Sequence, residues 1–372
     1  MLRGADESTV RAAVETADPL PGTAGFAGEL DGALVRDVLG RQPLFIERDD
    51  PTTWAFDRRE LAAPVRVPAG TRRTVDGDGD GDDSERGGAD ERLWTLPTPA
   101  PETDRTAALA AVDDAVTAAV RGVDPDDLAV AFSGGVDSAV VAAGVPAAPC
   151  YVAGFEGSHD VAAARDAAAA MDREVRVVEL THDALREAVP ELVSILGRTN
   201  PMDLQIVLPL YLVGKRVAAD GFDRLAVGQG ADELFGGYAK VAKAPDDPRV
   251  EAETVRGAAT ELIRTLPDQL ERDVLALRAA GVEPVAPLLH DDVVAAALPL
   301  PGELLVADGR RKVALREVAR GLVPADVAAA DKKAVQYGTY ASRELDRLAR
   351  RAGYKRRMDD HVEKYVRSLV EE

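Results

Sequence analysis

The feature that most restricts the fold is a short segment at residues 128–144. An apolar run, Leu-Ala-Val-Ala-Phe, leads directly into the loop 133–138 (SGGVDS), and a helical pattern follows it. The two adjacent glycines let the backbone turn tightly, so that amide N–H groups and hydroxyls can surround an anion at a helix N-terminus. The loop has neither the lysine of GxxxxGKS/T nor the separated glycines of GxGxxG. The segment therefore predicts a phosphate-binding loop of another type.

Strands and helices alternate on both sides of this loop. Apolar runs at 128–132, 150–155, 175–180 and 224–227 predict strands, while helical patterns cover 104–121, 138–144, 160–171 and 203–219. Such alternation is typical of a parallel sheet whose strands are joined by crossover helices. We therefore expect an α/β fold, with a mostly helical pattern beyond residue 250.

Changes in composition divide the 372 residues into three regions. Residues 1–75 hold short, β-prone segments separated by Gly and Pro, which predict a small β-rich domain. Residues 76–92 are Gly-rich and acidic, with Ala89 as their only apolar residue, and this composition predicts a flexible linker or insertion. Residues 93–372 carry the α/β pattern and predict the main domain.

The charge of the chain argues against nucleic acid as a partner. With 45 basic and 65 acidic residues the formal net charge is −20, and only eight of the basic residues are lysines. An acidic surface that uses arginine rather than lysine suits a salt-rich cytoplasm, where counterions screen the self-repulsion. The same negative charge repels phosphate backbones.

The sequence predicts neither a membrane anchor nor a disulfide. A membrane span needs about 18 consecutive apolar residues, and no uncharged apolar run of that length occurs. Cys150 is the only cysteine, which excludes intrachain disulfides and cysteine-based metal clusters. We therefore expect a cytoplasmic protein with no membrane partner.

A second Gly-rich segment, residues 228–238 (GQGADELFGGY), follows the last of the predicted strands. It places Asp232 and Glu233 just after a strand end, where open α/β sheets bind ligands, and hard carboxylate oxygens suit magnesium. The SGGxDS loop resembles that of the PP-loop ATP pyrophosphatases. With GxGxDExFGGY about 95 residues later, the chain resembles the synthetase domain of the asparagine synthetase family over roughly residues 105–340.

This resemblance implies a PP-loop fold of the adenine nucleotide alpha hydrolase type and a ligase that splits ATP to AMP and pyrophosphate. It implies magnesium held by Asp137 and Asp232, and catalytic roles for Asp232, Glu233 and Lys332, the lysine six residues before Gly338. The expected small-molecule substrates are ATP, an amino-acid carboxylate such as aspartate, and ammonia or an amine. The implied ATP-binding residues are Phe132, Ser133, Gly134, Gly135, Asp137, Ser138, Ala153, Gly154, Val227 and Gly228.

The N-terminal region carries a weaker resemblance. The segments 35–37 (VRD), 43–45 (PLF) and 68–70 (PAG) are similar to the latter half of a glutaminase domain of the N-terminal-nucleophile type. Such a domain attacks glutamine with an N-terminal cysteine whose own amine is the base, whereas this sequence starts Met1-Leu2-Arg3. We therefore expect no glutamine hydrolysis by this chain. The expected protein partner is a separate glutaminase subunit or a second copy of the chain.

Gln229 departs from the family pattern. Asparagine-forming members usually carry a glutamate there, which is proposed to help ammonia lose its proton, and glutamine cannot act as a base. Either Glu233 or Asp160 substitutes, or the substrates differ. Two alternatives stay open: another PP-loop amide ligase, including one that closes an amide within one molecule, and a nucleotide-binding subunit without catalysis. The single cysteine and the acidic charge disfavour a third, tRNA thiolation.

Overall fold

The computed structural model describes residues 1–75, 90–155, 157–243, 254–330 and 337–371, with the backbone alone at 337–339. These residues divide between two units. Unit 1 comprises residues 1–121, 229–271 and 286–318, and unit 2 comprises residues 122–228, 272–285 and 319–372. Most of the predicted linker at 76–92 lies outside the described residues, and the predicted domain boundaries stay predictions.

The described secondary structure is as follows in chain order. The strands are β1 (Leu2–Arg3), β2 (Ala27–Leu30), β3 (Ala33–Arg36), β4 (Phe45–Glu47), β5 (Trp54–Ala55), β6 (Pro64–Arg66), β7 (Thr71–Thr74), β8 (Glu91–Arg92), β9 (Leu128–Ala131), β10 (Cys150–Gly154), β11 (Val175–Glu179), β12 (Arg224–Ala226), β13 (Glu283–Val285), β14 (Val306–Ala307) and β15 (Arg310–Arg311). The helices are α1 (Glu7–Thr16), α2 (Arg105–Arg121), α3 (Val136–Gly144), α4 (His159–Ala170), α5 (His182–Leu196), α6 (Pro201–Ala219), α7 (Ala231–Leu234), α8 (Ala239–Lys243), α9 (Val255–Ile263), α10 (Leu266–Ala279), α11 (Asp291–Ala297), α12 (Gly302–Leu305), α13 (Val313–Ala319), α14 (Ala325–Ala329), α15 (Tyr337–Arg351) and α16 (His361–Glu371).

The parallel sheet predicted from the alternating pattern lies in unit 2. Its strand order is β11–β10–β9–β12–β13, and every neighbouring pair is parallel. Val130 of the central strand pairs with Cys150 on one side and with Ala226 on the other. β9 and β10 are almost wholly buried, as expected for a sheet covered on both faces. The α/β fold class is thereby confirmed.

Local sequence explains where the helices around this sheet begin. Ser158, Thr181 and Asn200 are the N-caps of α4, α5 and α6, and each side chain accepts a backbone N–H of the first turn. α6 also has Pro201 at its first position, where the missing N–H costs nothing. Within the described residues, no helix is long and apolar enough to cross a membrane.

Unit 1 contains the β-prone N-terminal segments. Its five-stranded sheet has the order β1–β2–β3–β7–β8, a three-stranded sheet has the order β5–β4–β6, and the pairings within both are antiparallel. A core cluster of Ala27, Leu34, Leu44, Ile46, Phe56 and Val67 draws on both sheets. The predicted β-rich character of this region is therefore present.

A buried charge network connects the N-terminal segment of unit 1 to α11. The Arg41 guanidinium lies 2.9 Å from Asp37 Oδ1 and 2.7 Å from Asp291 Oδ1, and it donates to the Leu289 carbonyl oxygen at 2.7 Å. Asp291 Oδ2 accepts from both the amide and the hydroxyl of Thr23. Arg41 is 4% exposed and Asp291 is fully buried. Breaking such a pair leaves an uncompensated buried charge.

We expect Asp291→Ala to lower the free energy of unfolding by about 3–5 kcal/mol. The substitution removes one of the two carboxylates that balance Arg41 and leaves the Thr23 amide without its acceptor. Urea unfolding followed by circular dichroism measures the change. The control is Glu15→Gln at an exposed position of α1, with an expected change within about 0.5 kcal/mol. A loss below about 1 kcal/mol for Asp291→Ala would contradict the role given to the network.

Candidate functional site

The loop 133–138 lies between β9 and α3 of unit 2, as the sequence predicts. Gly134 has φ +75°, a left-handed conformation that favours glycine, and a Cβ there would lie 2.9 Å from the Ala163 carbonyl oxygen. Ser138 Oγ accepts from the Ser133 amide at 3.1 Å and donates to the Gly135 carbonyl oxygen at 3.1 Å. Glycine and serine therefore hold the loop closed on itself.

The N-terminus of α3 has the features of an anion-binding site. Its N-cap residue is Gly135, which makes no side-chain hydrogen bond to the first-turn amides. Among the described residues, a Cβ on Gly135 would meet only Ser133 Oγ, at 3.4 Å, so this part of the chain leaves space on that side of the loop. Because the helix dipole also favours negative charge at this end, the loop fits a phosphate group. Nucleotide binding by the loop residues nevertheless stays a prediction.

The other predicted ATP-binding residues lie at the carboxyl ends of three neighbouring strands. Phe132 follows β9, Ala153 and Gly154 end β10, and Val227 and Gly228 follow β12. Parallel strands present their carboxyl ends at one edge of the sheet, where ligands of open α/β folds bind. Unit 2 therefore brings all ten predicted ATP-binding residues to the same edge.

Gly228 packs directly against the first turn of α3. A Cβ at this position would lie 3.0 Å from Asp137 Cβ and 3.1 Å from the Ser138 amide nitrogen. Few real Cβ contacts are that short. Glycine at 228 thus lets the end of β12 approach the helix terminus that carries the candidate phosphate-binding amides.

Asp232, in α7 of unit 1, forms an ion pair that the sequence did not indicate. Lys312 Nζ lies 2.6 Å from Asp232 Oδ1. The lysine side chain is 4% exposed, whereas the aspartate side chain keeps 20% exposure. A Cβ at Gly237 would overlap both Asp232 Oδ1 and Lys312 Cε. The second glycine of the GGY sequence therefore leaves the space that the pair occupies.

A β-hairpin brings Lys312 to Asp232. β14 and β15 pair antiparallel around Asp308 and Gly309, whose φ values of +52° and +74° are typical of a type I′ turn. Arg311 Nη1 donates to the Gly237 carbonyl oxygen at 2.5 Å, and Lys312 itself has φ +59°. An Asp-Gly pair between short strands is a known hairpin signal, and it could have drawn attention to the hairpin that carries Lys312.

Glu233 is buried next to Asp232 in the chain. It is 5% exposed, and Tyr238 Oη donates to Glu233 Oε1 at 2.5 Å. Burial raises the pKa of Glu233 above its usual range, with a further rise from the Asp232 charge, while the Tyr238 hydrogen bond and the Lys312 charge oppose the shift. The predicted catalytic role of Glu233 stays a prediction.

The carboxylates suit magnesium through the chemistry of their oxygens. Within the described ranges, no group of three or more His, Cys, Asp or Glu side chains could hold a metal ion. Magnesium is usually bound through one or two carboxylates together with the phosphates of a substrate, and Asp137 in unit 2 and Asp232 in unit 1 are carboxylates of this kind. Each carboxylate suits magnesium that arrives with a nucleotide, and the assignment of either residue to the metal stays a prediction.

Three further polar residues, Lys332, His290 and Asp160, lie in different surroundings or outside the described residues. Lys332 lies outside the described residues. His290 is the N-cap of α11, and its Nδ1 accepts from the Asp292 amide. Asp160 Oδ2 is buried and has no hydrogen-bond partner in the described part of the chain, and burial raises the pKa of its carboxyl group.

The parallel sheet, the SGGxDS loop and the open strand ends define an α/β protein of the PP-loop class. The sequence model of the asparagine synthase family matches residues 108–260 and 242–369. The chain belongs to the asparagine synthase family.

Two relatives show how much of the chain is shared. A protein of Methanocaldococcus jannaschii whose name places it among the glutamine-hydrolysing asparagine synthetases is 27% identical over 299 residues, which are 70% of this chain and 54% of that protein. Asparagine synthetase B of Escherichia coli K12, glutamine-hydrolysing by name, is 26% identical over 246 residues, 61% of this chain and 43% of that protein. The chain thus spans about half the length of these relatives.

Proposed function

We propose that this chain is an ATP-dependent amide ligase that releases AMP and pyrophosphate. The observation that carries the proposal is the loop 133–138 at the N-terminus of α3, with Gly228 packed against the same turn. Such a loop suits a polyphosphate that is held as one unit. Membership of the asparagine synthase family supports this reaction class. Aspartate and ammonia are the first candidate substrates, and a different carboxylate or amine is the alternative.

The proposed reaction has two steps. In the first step a carboxylate oxygen of the substrate bonds to the α-phosphorus of ATP, and the bond from that phosphorus to the bridging α–β oxygen breaks. Pyrophosphate leaves and an acyl-adenylate remains. In the second step the amine nitrogen attacks the acyl carbon, the bond from that carbon to the phosphate oxygen breaks, and AMP leaves as the nitrogen loses a proton. Magnesium bound with ATP would neutralise charge on the phosphates.

The predicted residues have distinct roles in these steps. The amides of the loop would hold the departing pyrophosphate, and Lys332 would offset the charge that grows on it. Asp137 and Asp232 would supply carboxylate oxygens to the magnesium. Glu233 or Asp160 would accept the proton of the amine, because burial raises the pKa of each carboxyl group and a carboxylate with a raised pKa is a stronger base.

Ammonia rather than glutamine is the proposed nitrogen source. A glutaminase domain of the N-terminal-nucleophile type needs a reactive cysteine to hydrolyse glutamine. Cys150, the only cysteine, lies on β10 with no exposure, and burial raises the pKa of its thiol. A raised pKa disfavours the thiolate, which is the attacking form.

Product analysis tests the proposal. The purified chain is incubated in molar KCl with ATP, magnesium, ammonium and each amino acid in turn, and nucleotides and amides are separated by chromatography. We expect AMP, pyrophosphate and one amide in equal amounts, with aspartate as the productive amino acid. ADP as the only nucleotide product would contradict the ligase. ATP binding without turnover would favour the non-catalytic subunit.

A second set of reactions tests the nitrogen source. Glutamine replaces ammonium, first alone and then with a separate glutaminase added. We expect no amide in the first case and restored synthesis in the second, because the added enzyme releases ammonia. Glutamine-dependent synthesis by the chain alone would contradict the proposed nitrogen source.

A further inference from the structure

Three segments of unit 1 meet to form the Asp232–Lys312 pair. α7 carries Asp232, the GGY turn provides the gap above Gly237, and the β14–β15 hairpin carries the lysine. Arg311 fastens the hairpin to the turn by donating to the Gly237 carbonyl oxygen. The carbonyl oxygen of Lys312 also accepts the amide of Arg316 in α13, so the backbone at the lysine is held on both sides.

This arrangement is costly for a pair that only balances charge. A buried lysine loses most of its side-chain rotamer freedom, and a left-handed φ at a residue other than glycine stores strain; Lys312 shows both features. With the lysine side chain 4% exposed and the aspartate side chain 20% exposed, the pair is largely buried, and the cost of desolvating such a pair can exceed its Coulombic gain. The free-energy cost of placing Lys312 here therefore indicates that the position of its ammonium beside Asp232 has a function.

We propose that Lys312 is the positioning residue for Asp232. Its ammonium holds Oδ1, the buried oxygen, so that the carboxylate is fixed in one orientation before magnesium and ATP bind. This inference rests on the proposed function, in which Asp232 supplies an oxygen to the metal. Lys312 acts through Asp232 and is not itself a catalytic residue.

The proposal and simple charge balance predict opposite changes in metal affinity. Removing a cation 2.6 Å from the carboxylate should tighten binding of a divalent metal if charge alone mattered. If Lys312 fixes the orientation, its removal takes this counter-charge from a buried oxygen, and the carboxylate should rotate towards water. Metal binding should then weaken.

Electron paramagnetic resonance of Mn²⁺ in the presence of α,β-methylene-ATP measures this affinity without turnover. The variants are Lys312→Met, Asp232→Asn and the double variant, with Lys240→Met at an exposed position of α8 as the matched control. We expect Lys312→Met to weaken Mn²⁺ binding about 10-fold. The double variant should bind no more weakly than Asp232→Asn, and the control should match the wild type. Turnover of Lys312→Met should show a lower kcat with little change in KM for ATP.

Several outcomes would overturn the proposal. Tighter or unchanged Mn²⁺ binding by Lys312→Met would mean that the lysine only balances the charge of Asp232. Additive losses of affinity in the double variant would show that Lys312 acts independently of Asp232. Absence of Mn²⁺ binding by the wild type would also overturn it. If Lys312→Met does not fold, Arg311→Gln loosens the same hairpin and should weaken binding at least about threefold, and unchanged binding there would count against the proposal. If the wild type binds Mn²⁺ but forms no AMP, the proposed function is refuted. The effect of Lys312→Met on Mn²⁺ affinity can still be measured in that case, so the two failures are distinguishable.

Discussion

Replacing Gly228 with valine is expected to weaken ATP binding by at least about 100-fold while unit 2 stays folded. A Cβ alone would lie 3.0 Å from Asp137 Cβ and 3.1 Å from the Ser138 amide nitrogen, and the two further methyl groups of valine need still more room. The first turn of α3 must then shift, together with the amides proposed to bind phosphate. A displacement of about 1 Å in a positioned group can cost about 10²-fold in rate, and we expect a loss of the same order in ATP affinity. Calorimetric titration with ATP measures the affinity.

Two further glycine variants calibrate this result. Gly228→Ala adds the Cβ alone, so we expect a loss of affinity between the wild type and the valine variant. Gly302→Ala is the control, because a Cβ there has ordinary contact with Val255 at 3.7 Å, and the affinity should not change. Wild-type affinity in Gly228→Val would show that the nucleotide does not use the α3 terminus.

The sheet of unit 2 could be predicted largely because its signals are local. Predicted runs of five or six residues mark β9, β10 and β11, and their bounds differ from the observed ones by one residue at most. β13 was not predicted, because a segment of three residues that includes Pro284 lacks the pattern of a strand. The segment is a strand because it pairs with β12. α5 was also not predicted, because Pro190 within it reads as a helix break.

The candidate site divides in the same way. The loop 133–138 and the segment around Asp232 are contiguous in sequence, so their residue types and spacing carry the information. Lys312 lies 80 residues beyond Asp232. It reaches the carboxylate because the β14–β15 hairpin packs beside Gly237, to whose carbonyl oxygen Arg311 donates. Likewise, no local pattern joins Arg41 to Asp291. Pairs of charges brought together by tertiary packing are what the sequence alone cannot supply.

The largest effect on turnover is expected from Asp232→Asn, which should lower kcat by about 10² to 10³. The amide keeps the shape of the side chain and a polar oxygen beside Lys312 Nζ, so the fold should persist. What is lost is a negative charge that would keep magnesium in place on the triphosphate in the transition state, so raising the magnesium concentration should restore little. Rates of AMP release across a magnesium titration measure both quantities, with thermal unfolding as the check on folding.

Glu303→Gln is the matched control for this substitution. It removes one carboxylate charge at an exposed position of α12, also in unit 1, so turnover and magnesium dependence should stay at wild-type values. If Asp232→Asn also kept wild-type turnover, magnesium would have to be held by other residues. A loss that excess magnesium fully reverses would instead mean that Asp232 contributes affinity alone, because a carboxylate that only attracts the ion becomes dispensable at saturation. If the loss of turnover persists at saturating magnesium, Asp232 contributes to stabilising the transition state as well as to binding the ion.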